Sequence, residues 1–281
     1  MANSQKSMSR GLVQKAARLI RQSGRDLLCD APTAAFGDLS CPTAPAIAAL
    51  ARQVDLLLVF GGDGTMLRVA RDTAPERTPI LGVKVGGLGF LTAVQSSELP
   101  AALKQIWEGR FTVESRPLIE ASGQVHGMAL SQTALNDFVI SRGAGSRLID
   151  LEVSVDDEIL THYRCDGLIV SSPTGSTAYS LAAGGAIVSP NANVLTLTPI
   201  CPHTLSNRSV IVSLDSKVSV KVLSQTVETI LAADGQVQTP LSAGDRVTIS
   251  RSRHTLRLLR LAGSSFFATL RQKLNWSGSH V

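Results

Sequence analysis

The chain has 281 residues, of which 44% are hydrophobic, 17% charged and 4% aromatic. That length buries a sizeable core, and the profile fits a globular protein packed on aliphatic side chains and divided into two domains, not a disordered chain. The excess of Lys and Arg, a formal +5, is spread along the sequence with no basic run and no basic-aromatic interleaving; this argues against a nucleic-acid partner and leaves anionic small molecules open.

Cys29, Cys41, Cys165 and Cys201 are widely spaced and contain no C-x-x-C pair, so reduced thiols and no zinc site are expected. MANSQKSMSR has no apolar core of the secretory type, and the runs Ala46 to Ala51 and Leu56 to Phe60 fall far short of the roughly 20 apolar residues that span a bilayer. The expectation is a cytoplasmic protein with no membrane partner.

In chain order, GLVQKAARLIRQSG places Leu12, Ala16, Leu19 and Ile20 on one helical face, with Gly24 as its C-terminal cap. RDLLCD reads as a short strand, Ala31 to Pro45 as a loop rich in Pro, Thr and Ala, and Ala46 to Gln53 as a second helix. Val54 to Phe60 is a buried strand, Met66 to Asp72 a helix, Pro79 to Val85 another strand, and Glu98 to Gly109 a helix containing Trp107. Alternating strands and helices imply an α/β domain built on a parallel sheet. Beyond Phe111 the texture changes: IDLEVSVDDEIL, SVIVSLDSKVSVKVL and DRVTISRSRHTLRLLRL are β-branched with period two, the pattern of an antiparallel, β-rich second domain. The final SSFFATLRQKLNW is helical, and its shared face of Phe266, Leu270 and Leu274 is expected to dock back on the first domain. The expected boundaries are 1–113, 114–263 and 264–281.

Three stretches carry polar chemistry. In VDLLLVFGGDGTMLRVARD a buried strand runs into Gly61, Gly62, Asp63, Gly64 and Thr65 and then into a helix, the place where open α/β sheets offer backbone N–H groups to phosphate. Glycines let anionic oxygens approach, but a carboxylate repels them unless it holds a cation, orients a hydroxyl or accepts a proton. Asp63 therefore reads either as a base in phosphoryl transfer or as a turn residue capping its helix, with equal weight. The segment is neither a Walker A loop nor a G-x-G-x-x-G fingerprint. GVKVGGLGFL, with Gly86, Gly87 and Gly89, is a second tight turn after a strand.

In TALNDFVISRG, Asn136 and Asp137 offer amide and carboxylate partners for ribose hydroxyls or a base edge, or form a plain turn. In CDGLIVSSPTGSTAYSLAAGGAIVSP a strand leads into Ser171, Ser172, Thr174, Ser176 and Thr177, five hydroxyls that suit a purine edge and sugar while Tyr179 supplies an apolar face, or that form a plain surface loop. The five histidines, His126, His162, His203, His254 and His280, have no metal-ligand spacing and no nucleophile setting.

GGDGT at Gly61 to Thr65, LGF at Leu88 to Phe90, LNDFVI at Leu135 to Ile140, the long block from Asp166 to Pro190, PICPHTLSNRSVIV at Pro199 to Val212 and DGQ at Asp234 to Gln236 together resemble the NAD kinase family, in the family's order. Diacylglycerol and sphingosine kinases carry a similar GGDGT, so the Asp166 to Pro190 block is the specific signal. The resemblance implies transfer of the γ-phosphoryl of ATP, or of inorganic polyphosphate, to the 2′-hydroxyl of the adenosine ribose of NAD, giving NADP with a divalent metal, usually Mg²⁺. It assigns Asp63 as the base and Gly61, Gly62, Gly64 and Thr65 as phosphate receivers, with Phe90 lining the adenosine pocket. It further gives Asn136 and Asp137 ribose contacts, sets Thr177, Ala178, Tyr179, Ser180, Leu181 and Ala182 along the adenine and nicotinamide pockets, and adds nucleotide contacts at Arg147, Arg164, Asp166 and Gln236. No residue is assigned as a metal ligand, and a homodimer or homotetramer is implied.

The chain departs from the family pattern in three places. The usual opening strand is absent or replaced before Gly11; either its loss leaves an exposed sheet edge or the true start lies upstream. Asp137 replaces the usual Glu, and Lys84 stands where Asn is usual. A lipid or sugar kinase and a catalytically idle NAD(P)-binding module are the rival readings.

Overall fold

Capping and turn residues bound each apolar run in the first part of the chain. The computed structural model, which describes residues 1–2, 9–87, 89–203 and 208–276, turns those runs into alternating helices and strands. Two compact units emerge, Met1–Ser115 with Leu256–Val281, and Arg116–Thr255. Leu88, within the LGF motif, and residues 204–207, within the Pro199 to Val212 motif, lie outside the described residues.

In the first unit, helix α1 (Ser9–Gln22) buries Leu12, Val13, Ala16 and Ala17, and Gly24 follows with φ 73°. Strand β1 (Cys29–Asp30) is shorter than RDLLCD suggests. The segment read as a loop from Ala31 to Pro45 instead holds helix α2 (Ala31–Gly37) and strand β2 (Thr43–Ala44), which pairs in parallel with β1. Asp30 makes the difference: its carboxylate accepts from Thr33 N–H at 3.3 Å, and Pro32 sits in the first turn, where its missing N–H is harmless. The composition that reads as a loop is that of a capped, alanine-rich helix.

Helix α3 (Ile47–Ala51) leads to β3 (Leu57–Gly61), and β4 (Ile80–Lys84) lies parallel to it in the register Leu57 opposite Ile80 through Gly61 opposite Lys84. Between them α4 (Asp63–Asp72) starts at Asp63, three residues earlier than the apolar pattern implies, with Gly62 as its N-cap. Strand β5 (Val94–Gln95) pairs in parallel with β4, and α5 (Leu99–Trp107) follows. Leu81, Val83, Leu99 and Leu103 form the core beneath these helices. Residues 1 and 2 lie along β3: Ala2 bridges Phe60 in parallel, and Phe60 N–H donates to Met1 O at 2.9 Å. The last helix, Phe266–Lys273, belongs to this unit; Ser265 caps it, Leu270 is buried, and the Phe266 ring lies 6.4 Å from that of Phe90.

Strand β6 (Phe111–Val125) carries the chain into the second unit, where it pairs with β7 (Met128–Ala134). The strands β8 (Asp137–Arg142), β9 (Ile149–Val155), β10 (Glu158–Cys165) and β11 (Gly167–Ser171) follow, then the short helix α6 (Tyr179–Ala182). Strands β12 (Val194–Ile200), β13 (Val210–Ser213), β14 (Val218–Val222), β15 (Thr229–Ala233), β16 (Val237–Leu241) and β17 (Arg246–Leu261) complete it. A six-stranded antiparallel sheet has the order β13-β12-β11-β8-β15-β16. Its two central strands, β8 and β11, are almost wholly buried, which explains their unbroken apolar runs FVI and LIV. Antiparallel pairing also joins β10, β9, β14 and the first part of β17. The parallel first unit and the antiparallel second one match the α/β and β-rich reading. Among the described residues no helix is long and apolar enough to cross a membrane.

Phe138, on β8, is fully buried and is the largest such side chain in the core of the second unit. Phe138→Ala is predicted to cost about 3–5 kcal/mol in urea-induced unfolding. A loss below about 1 kcal/mol would mean that β8 is not the centre of that core.

Candidate active site

The site in the first unit begins where β3 ends. Every residue of that strand except half-buried Leu58 is buried, and a methyl group on Gly61 would lie 2.5 Å from Thr65 Oγ1, so only glycine lets the first turn of α4 fold so tightly under the strand. Thr65 and Met66 N–H both donate to Gly62 O, closing that turn. The amides of Asp63 and Gly64 thus stand at the positive end of the helix. Lys84, at the end of β4, brings a cation to the same place: its Nζ is 3.6 Å from the position a methyl on Gly62 would take.

Asp63 does not cap its own helix, because Gly62 is the N-cap and no side-chain cap is made there. Its carboxylate reaches across to the turn after β4 instead. Oδ2 accepts from Phe90 N–H at 2.9 Å and Oδ1 from Leu91 N–H at 3.3 Å. Gly89 makes room for it: a methyl group there would collide with Asp63 Oδ1 and lie 2.7 Å from Thr92 Oγ1. The turn after β4 is therefore a two-amide clamp that fixes a half-buried carboxylate at the mouth of a glycine turn. The Phe90 ring, half-buried, packs against the last helix, whose Lys273 Nζ sits 4.7 Å above it.

In the second unit the polar loop after β11 is organised inward. Ser171 Oγ donates to Asn136 O at 3.2 Å and to Ser172 O at 2.9 Å, and Ser172 Oγ donates to Leu135 O at 2.5 Å. Ser176 Oγ donates to Pro173 O at 2.8 Å and accepts from Val188 N–H at 3.0 Å. Four of the five hydroxyls that suit a purine and sugar surface thus donate to backbone, because this short turn leaves carbonyls that need donors. Thr177, half-buried, donates to Thr174 O at 3.3 Å, while Thr174 Oγ1 is buried with no partner. Ser180 is fully buried against Thr198 Oγ1 at 2.9 Å, whereas Tyr179 is 47% exposed and Ala182 exposed, with Ala178 and Leu181 half-buried. Gly175 packs on Asn136 so closely that a methyl group would collide with Asn136 O.

Asn136 is half-buried and Asp137 buried, and both are held by a residue the site assignment passes over, Asp234. The Asp234 carboxylate accepts from Leu135, Asn136 and Asp137 N–H, the Asn136 bond being 2.8 Å. Its signal in the sequence is the DGQ turn: Asp234 itself has φ 50°, a conformation that Asp tolerates next to glycine. Asp166 pairs with Arg142 at 2.5 Å, a partner that sequence reading also misses. Arg147 and Arg164 are exposed on or beside strands β9 and β10, and Gln236 is exposed in the turn after β15. Burial pushes the Cys29 and Cys165 thiols up to about 12, so neither is a nucleophile at neutral pH. Among the described residues no group of three or more His, Cys, Asp or Glu is gathered to hold a metal ion.

Burial first, and the neighbouring Asp234 charge second, raise the Asp137 carboxyl from 3.8 to about 7. The folded state binds this proton more tightly than the unfolded chain, so the carboxyl's contribution to stability is complete at low pH and is lost as pH rises through about 7. Asp137→Asn is neutral throughout. Its melting temperature relative to the parent protein is predicted to be higher at pH 8 than at pH 5, measured by thermal unfolding, and an equal difference at both pH values would contradict the assignment.

The ATP-NAD kinase N-terminal domain model matches residues 3–111 and the ATP-NAD kinase C-terminal domain model residues 135–261. The NAD kinase of Symbiobacterium thermophilum is 46% identical over 239 residues, covering 85% of this chain and 83% of that protein. That of Heliobacterium modesticaldum is 42% identical over 253 residues, covering 90% and 89%. Among solved structures, yeast NADH kinase complexed with NADH superposes with a TM-score of 0.86 at 26% identity over 96% of this chain and 85% of that one. An NAD kinase from Archaeoglobus fulgidus in complex with ATP gives 0.76 at 25% identity over 95% and 96%. The chain belongs to the NAD kinase family.

Proposed function

We propose that this chain phosphorylates the 2′-hydroxyl of the adenosine ribose of NAD with ATP, producing NADP and ADP, and that Asp63 is the base. The observation that carries the reading is the Asp63 carboxylate held by Phe90 and Leu91 N–H beside the glycine turn. A carboxylate fixed at a phosphate-receiving turn suits proton acceptance, since it has no pairing role within its own helix. Asp63 accepts the 2′-hydroxyl proton as the ribose oxygen bonds to the γ-phosphorus and the bond to the bridging oxygen of ADP breaks. Gly61, Gly62, Gly64 and Thr65 receive the donor phosphates, and their approach depends on the absent side chains at the glycines.

Asn136, Asp137, Phe90 and residues 177–182 bind NAD, with Arg147, Arg164, Asp166 and Gln236 as further nucleotide contacts. The inward-turned serines support this by holding the loop backbone and leaving Thr177, Ala178 and Tyr179 at its surface. Mg²⁺ does not fit a cage of side chains among the described residues; it would enter on the triphosphate of ATP, neutralising charge there. Family likeness also carries the readings of a homodimer or homotetramer, cytoplasmic residence, and polyphosphate as an alternative donor.

Purified protein with ATP, Mg²⁺ and NAD is predicted to form NADP, and Asp63→Asn to lower turnover at least about 10²-fold with NAD affinity largely kept. NAD binding without NADP from any donor would favour an idle binding module. Near-normal turnover in Asp63→Asn would remove the base assignment.

A further inference from the structure

Thr92 is a buried hydroxyl with nothing to bond. It is 4% exposed, and its Oγ1 has no hydrogen-bond partner. Leaving such a group unsatisfied is costly and calls for an explanation. Gly89 shows where the hydroxyl faces: a methyl group there would meet Asp63 Oδ1 and Thr92 Oγ1 alike, so the two oxygens crowd the same point. Oδ1 is also the less firmly held oxygen of Asp63, its amide bond being 3.3 Å against 2.9 Å for Oδ2.

We infer that Thr92 is a positioning residue for Asp63, its hydroxyl supplying the hydrogen-bond acceptor that the Asp63 carboxyl needs once it carries a proton. The inference rests on the base role proposed above. Phe90 and Leu91 offer N–H groups that only donate, so they satisfy a carboxylate but leave an acidic O–H facing donors. A threonine hydroxyl both donates and accepts, and a small rotation switches it. As the ribose O–H bond breaks and the oxygen–phosphorus bond forms, the proton passes to Asp63, and the new O–H donates to Thr92 Oγ1. Thr92 keeps its own proton, and Asp63 releases the acquired one to solvent after NADP leaves.

The test compares Thr92→Val, which keeps the shape and loses the hydroxyl, with Thr92→Ser, which keeps the hydroxyl. With ATP, Mg²⁺ and NAD, Thr92→Val is expected to lower kcat about 3- to 10-fold at nearly unchanged KM for both substrates, and Thr92→Ser to stay within about twofold of the parent. Thermal unfolding of Thr92→Val should occur at the same or a higher temperature, because an unsatisfied buried group has been removed. Parent-like kcat in Thr92→Val, equal slowing in both variants, or slowing that tracks a lowered melting temperature would each overturn the inference. Failure of the underlying base role is seen separately, as retained turnover in Asp63→Asn run in the same assay.

Discussion

The two hydrogen bonds from Phe90 and Leu91 N–H to the Asp63 carboxylate are the interaction on which the rest of the first unit's site depends. They tie the start of α4 to the turn after β4, two points separated by a whole helix and strand in sequence. Everything near them is arranged to permit the contact. Gly61 lets α4 turn directly out of β3, Gly62 leaves the helix without a competing side-chain cap, and Gly89 is empty where the carboxylate lies. The parallel register that sets Gly61 opposite Lys84 brings the two turns to the same end of the sheet.

The second unit uses the same physics differently. There the polar groups mostly serve backbone: Asp234 gathers three consecutive amides before and at the start of β8, and Ser171, Ser172 and Ser176 meet carbonyls left over by the turn after β11. Each of these buried groups would be costly alone and is satisfied locally. Burial, with the Asp234 charge adding to it, makes the Asp137 carboxyl hard to ionise, so that it holds its proton up to about 7. The shorter side chain at that position is thus a buried acid in this fold, not an extended one.

Much of this was legible in the sequence, and the failures have physical causes. The strand, glycine turn and helix around Asp63 follow from an apolar run ended by residues that favour tight turns, although the helix starts at Asp63 because Gly62 is its N-cap and Asp63, Gly64 and Thr65, which look like loop residues, form its first turn. Helix α2 was hidden because its Pro and Thr look like loop residues until Asp30 is recognised as a cap. The serines after β11 look like ligand partners in composition, yet where a hydroxyl points is decided by which carbonyls the turn leaves unpaired. The amide clamp, the Asp166–Arg142 pair and the orphan hydroxyl of Thr92 could not be read at all, since each depends on contacts or vacancies created only when distant segments fold together.

Under the role proposed for Asp63, the clamp, and not the mere presence of a carboxylate, suits this turn to phosphoryl transfer. Gly89→Ala tests it without altering any ionisable group, because its methyl collides with Asp63 Oδ1. Single-turnover formation of NADP from ATP and bound NAD is predicted to slow at least about 10²-fold in this variant, with NAD affinity and overall fold retained. A variant that folds, binds NAD and forms NADP at the parent rate would contradict the account.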